Sequence, residues 1–198
     1  MVVAAVELDW KAPLDPEAYI ADTPAMATTK GMFNTSIAEL GRRSAPTRED
    51  DVFEGVAARR WPAFADVSLR EHMRLLVNVA RLRYPREPLR EGLRRLGWLA
   101  YPTFAESTPG RVLLMLSEGI ESVLRASPKA FALSVSPCRV ETTKVGPRHY
   151  RVDGYQIYCF LDAYQVGVLE GIAHAHREKP HVTLALRNLH SGSLDFTW

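Results

Sequence analysis

The period with which apolar side chains recur along the chain changes near residue 135. Upstream of this point apolar residues return every three or four positions, which is typical of amphipathic helices. The clearest such stripe consists of Leu69, Met73, Leu76 and Ala80. Downstream, apolar and polar residues alternate, which is typical of strands with one buried face. The pattern therefore predicts a helical first part and a sheet-forming second part.

Proline, glycine and capping residues set the ends of the predicted helices. These helices span 29–41, 50–58, 68–84, 89–101, 109–116 and 120–124. The third is the clearest, because Ser68 and Glu71 form the S-x-x-E box that satisfies free N–H groups at a helix start. The fourth is expected to stop or kink before Pro102, since proline removes a backbone hydrogen bond.

The strands and one further helix complete the predicted order of elements. The predicted strands span 2–10, 135–145, 149–152, 155–160, 181–187 and 193–198. Asp153-Gly154 is interpreted as a two-residue hairpin turn, and a helix starts at Asp162 with Gln165 as its capping partner. The order predicts the α+β class, with an N-terminal helical layer packed on a C-terminal antiparallel sheet with one inserted helix. Residues 1–28 form a strand and connector, and 29–198 form a single domain.

Composition excludes several classes of protein. A chain of 198 residues, 46% apolar and 24% charged, is typical of one folded domain rather than a disordered segment. Two cysteines, Cys138 and Cys159, are too few for a disulfide framework. The N-terminus lacks a basic segment, and no stretch approaches the roughly 20 apolar residues of a membrane span. We expect a cytoplasmic protein.

Sequence motifs of catalysis and metal binding are missing or weak. The patterns GxSxG, GxxxxGK[ST] and GxGxxG do not occur, so acyl transfer and nucleotide hydrolysis have no support. Glu170 and His174 share a helix face, but a surface pair at this spacing is commoner than a metal site. His72 and His176 lie beside apolar stripes, where a packed histidine is the commoner role. We expect neither an enzyme nor a metal site.

Arginine is concentrated between residues 70 and 95. This segment contains eight arginines and three glutamates, a local excess of five positive charges. Such a surface could bind an acidic protein or a phosphate backbone. The candidate partner surface consists of Arg83, Arg86, Arg90 and Arg94. However, charge on the outer face of amphipathic helices is ordinary, and no nucleic-acid reader motif accompanies it. The sequence therefore argues against a nucleic-acid partner and leaves a protein partner open.

Several segments resemble a known family. They are Gly31-Met32-Phe33-Asn34, Leu96-Gly97, 162–173 and the closing strand to Trp198. Together they are similar to an uncharacterised family of about 200 residues that occurs in multiple copies in myxobacteria. The second half, including 117–128 and 138–141, is also similar to haem–nitric-oxide-binding domains, vinyl-reductase-like sensor domains and Bet3-type trafficking subunits. These resemblances imply an apolar cavity between helices and sheet, and ligand sensing or assembly, often as homodimers.

Haem binding is where the sequence departs from the resemblance. The segment 116–124, which should carry the proximal histidine, contains none. The Tyr-x-Ser-x-Arg element that holds haem propionates is replaced around 150–154. We therefore expect no haem and no other cofactor.

The leading hypothesis is a non-enzymatic sensory or regulatory domain, a homodimer, that binds a small apolar ligand, a protein partner, or both. Two glycines in one helix, Gly167 and Gly171, indicate either close backbone packing or space left for that ligand. The candidate pocket residues are Met73, Trp98, Phe104, Met115, Tyr158 and Leu169. The alternatives are an adaptor without a ligand, and a nucleic-acid-associated factor that uses the arginine-rich helices.

Overall fold

The computed structural model describes residues 6–115 and 118–198. Its helices are α1 Pro16–Asp22, α2 Gly31–Ser44, α3 Glu49–Val52, α4 Leu69–Arg83, α5 Leu89–Glu106, α6 Thr108–Leu114, α7 Gly119–Ser134 and α8 Tyr164–Ala175. Its strands are β1 Thr28–Lys30, β2 Asp66–Ser68, β3 Val135–Ser136, β4 Arg139–Gly146, β5 His149–Tyr155, β6 His181–Asn188 and β7 Ser191–Thr197.

The strands form two antiparallel sheets. A four-stranded sheet has the order β4-β5-β7-β6, and α8 lies in the connection from β5 to β6. A smaller sheet has the order β2-β1-β3 and joins the starts of α2 and α4 to the end of α7. The α+β prediction of helices followed by an antiparallel sheet with one inserted helix is confirmed.

The hydrophobic core has two parts that meet at α8. One part lies among α1 to α5 and includes Leu76 and Leu93. The other lies between the four-stranded sheet, α7 and α8, and includes Tyr150 and Phe196. Helix α8 is buried on nearly all sides, because each residue from Tyr164 to Ala173 except Val168 is buried. Its Tyr164 belongs to the first part and its Val166 to the second.

Glycines allow α5 and α8 to cross at very short range. A Cβ atom placed on Gly97 would lie 2.1 Å from the carbonyl oxygen of Tyr164, and one on Gly167 would lie 1.9 Å from that of Arg94. On Gly171 a Cβ would lie 2.7 Å from the carbonyl oxygen of Trp98. Of the two explanations open for the α8 glycines, close backbone packing accounts for both.

Several helix ends differ from the prediction. Helix α2 continues past Gly41 to Ser44, because Gly41 packs against Val52 and Val79 rather than ending the helix. Helix α5 runs through Pro102 to Glu106, and α7 extends to Ser134 instead of ending at residue 124. The last residue of the predicted 109–116 helix lies outside the described residues, and α6 ends at Leu114.

The region before α8 is where the strand prediction was wrong. Asp153-Gly154 is not a turn, because both residues lie within β5 and pair with β7. The turn between the predicted strands 135–145 and 149–152 does occur, at residues 147–148, where Arg148 has a φ of 54°. Residues 156–160 form no strand. Helix α8 begins at Tyr164 without a side-chain cap, because the carboxylate of Asp162 is bound to other groups.

The N-terminal segment packs on the rest of the chain. Residues 2–5 of the predicted first strand lie outside the described residues, and Val6 forms a single bridge to Leu184. Tyr19 of α1 is buried in the first part of the core, and its hydroxyl donates to Asp162 at 2.6 Å. Helix α1 therefore contributes to the core rather than forming a detached arm.

Candidate functional site

An apolar cavity lies at the boundary between the two parts of the core. Its walls come from α2, α4, α5, α7 and α8, and its volume is about 110 Å³. We call this space the central cavity. Six of its wall residues carry aromatic rings: Phe33, His72, Tyr101, Phe104, Phe131 and Tyr164. An engineered apolar cavity of about 150 Å³ binds benzene or xenon, so the central cavity matches a ligand of about that size.

The histidine of the cavity wall is buried and held by one hydrogen bond. His72 Nδ1 lies 2.8 Å from Asn34 Oδ1, and the imidazole packs against the rings of Phe33 and Tyr164. Burial lowers the pKa of His72 to about 4. The imidazole is therefore neutral at pH 7, with one nitrogen available as a hydrogen-bond acceptor.

This buried histidine makes stability depend on pH. Between pH 6.5 and 4 the unfolded chain binds a proton that the folded chain does not, so stability falls as the pH falls through this range. We expect the wild type to lose about 2 kcal/mol from this group between pH 7.5 and 5. His72→Gln, which cannot titrate, should show that much less pH dependence when both are unfolded with urea at each pH. If the free energy of unfolding changes with pH equally in the two proteins, His72 is not the group responsible.

Two other polar groups lie in the wall. Gln165 donates from Nε2 to the carbonyl oxygen of Cys159 at 3.3 Å, while its buried Oε1 has no partner in the described part of the chain. Burial raises the pKa of the Cys159 thiol, so this thiol is protonated at neutral pH and is not a ready nucleophile. The cavity thus offers acceptor atoms in apolar surroundings, without an activated nucleophile among its described residues.

A surface groove adjoins the central cavity. The groove lies between α2 and α5, has a volume of about 500 Å³, and carries charged residues such as Glu39 and Arg43. Phe33, Ala100 and Tyr164 belong to the walls of both spaces. Phe33 and Ala100 are only partly buried. A small molecule bound in the groove would therefore contact residues that also line the cavity.

Of the six pocket residues proposed from the sequence, the structure places one in the cavity wall, Phe104. Met73 and Leu169 are buried in the core on either side, and Tyr158 packs on His190. The others point away from the cavity: Trp98 donates to Glu170, and Met115 is 76% exposed. These six residues were chosen because they are bulky and lie on predicted inward faces. That choice identified some buried side chains, but only one of the six lies at the boundary where the cavity forms.

Two of the four arginines proposed as a partner surface are engaged within the fold, which corrects that proposal. Arg90 binds the carboxylate of Asp162 and the carbonyl oxygens of residues 12 and 13. Arg94 makes two hydrogen bonds to Glu170, at 2.6 and 2.8 Å. Arg83 bonds Ser44 and Tyr84, and Arg86 is exposed. The local excess of positive charge is thus partly neutralised by acidic residues from distant parts of the chain.

No cluster of three or more metal-ligating side chains occurs within residues 6–115 and 118–198. Glu170, one of the two residues considered at i, i+4 spacing, is buried and bound by Arg94 and by the indole N–H of Trp98 at 2.7 Å. His174 packs edge-on against Trp98. The pair serves the packing of α8 on α5.

Solved H-NOX domains share this fold. An H-NOX protein mutant from K. algicida, in its unliganded Fe(II) form, is 10% identical, with a TM-score of 0.64 over 85% of this chain and 95% of that chain. An H-NOX mutant from T. Tengcongensis is 16% identical, with a TM-score of 0.60 over 85% and 96%. An oxygen-binding H-NOX domain related to soluble guanylate cyclases is 16% identical, with a TM-score of 0.63 over 85% and 94%. The chain therefore has an H-NOX-like α+β fold.

Residues 25–198 match the family described as protein of unknown function (DUF2378), and the chain belongs to that family. The expected resemblance to haem–nitric-oxide-binding domains is confirmed for the fold. The resemblances to vinyl-reductase-like and Bet3-type proteins, and the myxobacterial origin, stay predictions.

Among curated proteins, none matches the sequence. None of the helices in the described ranges combines the length and apolarity that crossing a bilayer requires.

Haem is the group that this fold suggests, since one similar structure concerns haem distortion in the H-NOX family and another concerns haem redox potential and porphyrin distortion. The central cavity, at about 110 Å³, is well below the roughly 300 Å³ at which pockets for drug-sized ligands begin, and a porphyrin is larger still. Its described wall contains one histidine and neither arginine nor lysine to pair with propionates. Helix α7 contains no histidine. These residues do not fit a haem.

The pairing of His72 with Asn34 is the feature that sequence reasoning missed. Asn34 belongs to the segment that carried the family resemblance, and His72 lies beside the stripe of the Ser68-capped helix. The two residues are 38 positions apart on different helices. No local pattern could therefore connect them, although a polar residue beside an apolar stripe was a signal in each helix.

Proposed function

We propose that this protein is a non-enzymatic sensory or regulatory domain that binds a small apolar ligand in the central cavity. The observation that carries the proposal is an apolar cavity, with six aromatic rings in its wall, placed where the two parts of the core meet. A ligand in that position contacts α5, α7 and α8 together, so occupancy can alter how these helices pack. The similar H-NOX structures include an oxygen-binding domain, which supports a role in ligand sensing.

Two observations support a non-enzymatic role. The thiol in the wall is kept protonated by burial, and His72 is held by Asn34 rather than by a nucleophile. The adaptor alternative based on Arg90 and Arg94 loses support, because both guanidinium groups are bound within the fold. That the domain works as a homodimer stays a prediction.

Filling the cavity should abolish ligand binding. Ala130 lies in the cavity wall on α7, so Ala130→Leu places three further carbon atoms in the space that the ligand needs. We expect toluene to shift backbone amide resonances around the cavity of the wild type in NMR titrations, and to leave those of Ala130→Leu unchanged. An engineered cavity of comparable size binds such ligands.

Ala132→Leu is the matched control, because Ala132 lies on the same helix but is exposed. It should bind toluene as the wild type does. Equal binding by Ala130→Leu and Ala132→Leu, or no binding by the wild type, would overturn the proposed function.

A further inference from the structure

The wall of the central cavity contains an acceptor atom that the fold leaves unused on Gln165. The carbonyl oxygen of Cys159 can only accept a hydrogen bond, so the amino group of the Gln165 carboxamide has to point towards it. This requirement fixes the orientation of the amide. The carboxamide Oε1 is then left buried, and no described residue donates to it. A buried acceptor without a donor is uncommon in folded proteins and calls for an explanation such as a bound molecule.

His72 supplies a second acceptor. In this structure Asn34 turns its carboxamide oxygen towards His72 Nδ1, and because an oxygen cannot donate, Nδ1 carries the proton in this arrangement. The neutral ring then has an unprotonated Nε2 with a free lone pair. Within the described ranges no group hydrogen-bonds to Nε2. Asn34 therefore positions the imidazole as an acceptor in the wall of the cavity.

The remainder of the wall restricts the shape of a ligand. Aromatic rings from α2, α5, α7 and α8 surround the space, and aromatic pairs prefer the offset or edge-to-face arrangements that such rings allow. The volume of about 110 Å³ accommodates one small ring system. No described wall residue carries a formal positive or negative charge at neutral pH, so a charged ligand would remain unpaired there.

We propose that the central cavity selects small neutral aromatic molecules that carry an O–H or N–H donor, such as phenols and indoles. The ring packs among the aromatic side chains, and the donor binds His72 Nε2 or Gln165 Oε1. This inference deepens the proposed function and rests on it, because it names the chemical class of the ligand. A ligand of equal size without a donor leaves both acceptors unpaired. An acceptor-only ligand also leaves them unpaired, because it can pair only with hydroxyl groups of the wall such as those of Tyr101 and Tyr164.

Phenol and toluene test the proposal, because they differ by a hydroxyl in place of a methyl group of similar size. Their dissociation constants are measured at pH 7.5 by NMR titration for the wild type, His72→Phe and Gln165→Met. The quantity compared is the ratio of the toluene constant to the phenol constant. We expect this ratio to fall about tenfold in the variant that removes the acceptor used. Anisole, which accepts but cannot donate, should bind the wild type about tenfold more weakly than phenol.

The results separate this inference from the proposed function. Toluene binding with the same ratio in all three proteins overturns the selection of donors and leaves the proposed function standing. Absence of binding by both ligands overturns both. Tighter binding of anisole than of phenol also overturns the inference, because it shows that the wall donates. If His72→Phe does not fold, the ratio in Gln165→Met and the ¹⁵N resonance of His72 Nε2 in the wild type decide. Either phenol should shift that resonance, or the ratio measured for Gln165→Met should be lower than that of the wild type. Failure of both expectations overturns the proposal.

Discussion

Gly167→Ala is expected to lower the free energy of unfolding by about 3 kcal/mol. The added methyl group would lie 1.9 Å from the carbonyl oxygen of Arg94 and 2.8 Å from its carbonyl carbon. Both are backbone atoms of α5, so no side chain can rotate to relieve the contact. The two helices would have to separate, which opens the packing of α8 against α5 and disturbs the cavity between them. Urea unfolding monitored by circular dichroism measures the effect.

Gly146→Ala provides the matched control. Gly146 lies at the end of β4, and a Cβ placed there meets no atom within 4 Å. Its substitution should change the free energy of unfolding by less than about 0.5 kcal/mol. Equal stability of Gly167→Ala and the wild type would show that α5 and α8 do not cross as closely as the glycines indicate.

Local signals account for the parts of the fold that the sequence predicts well. Helix α4 is an example, because Ser68 accepts a hydrogen bond from the backbone N–H of Glu71 at 3.4 Å, as its capping box indicates. The hairpin signal of Asp153-Gly154 failed for a non-local reason. A Cβ on Gly154 would lie 2.8 Å from the side chain of Ile157, so this glycine serves close packing beneath the sheet. The pairing of β5 with β7 then overrides the local preference for a turn.

The site was less predictable than the fold. Alternating and helical patterns identify which side chains point inwards, and that placed Phe104 correctly near the boundary. They do not show where packing is incomplete, because a cavity depends on the relative positions of several elements. The same holds for the arginines. The sequence shows a positive excess around Arg94, whereas its main partner, Glu170, lies 76 positions away.

Glu170→Met is expected to cost about 3 kcal/mol of stability. The carboxylate of Glu170 is 6% exposed and accepts hydrogen bonds from Arg94 and from the indole N–H of Trp98. Its removal leaves the guanidinium of Arg94, which is 20% exposed, with Glu91 as its one remaining ionic partner among the described residues. Desolvation of a charge that has lost its main partner destabilises the folded state. Urea unfolding of the variant measures the loss.

The double variant Arg94→Met/Glu170→Met distinguishes a buried ion pair from simple loss of packing. Replacing both charges by apolar groups of similar length removes the unpaired cation, so the double variant should be more stable than Glu170→Met alone. The exposed pair Glu39–Arg43 serves as the control, since both of its side chains are more than half exposed, and Arg43→Gln should cost less than about 1 kcal/mol. If the double variant loses as much stability as Glu170→Met and Arg94→Met lose together when each is measured alone, Arg94 and Glu170 act independently. In that case the glycine contacts alone would account for the docking of α8 on α5.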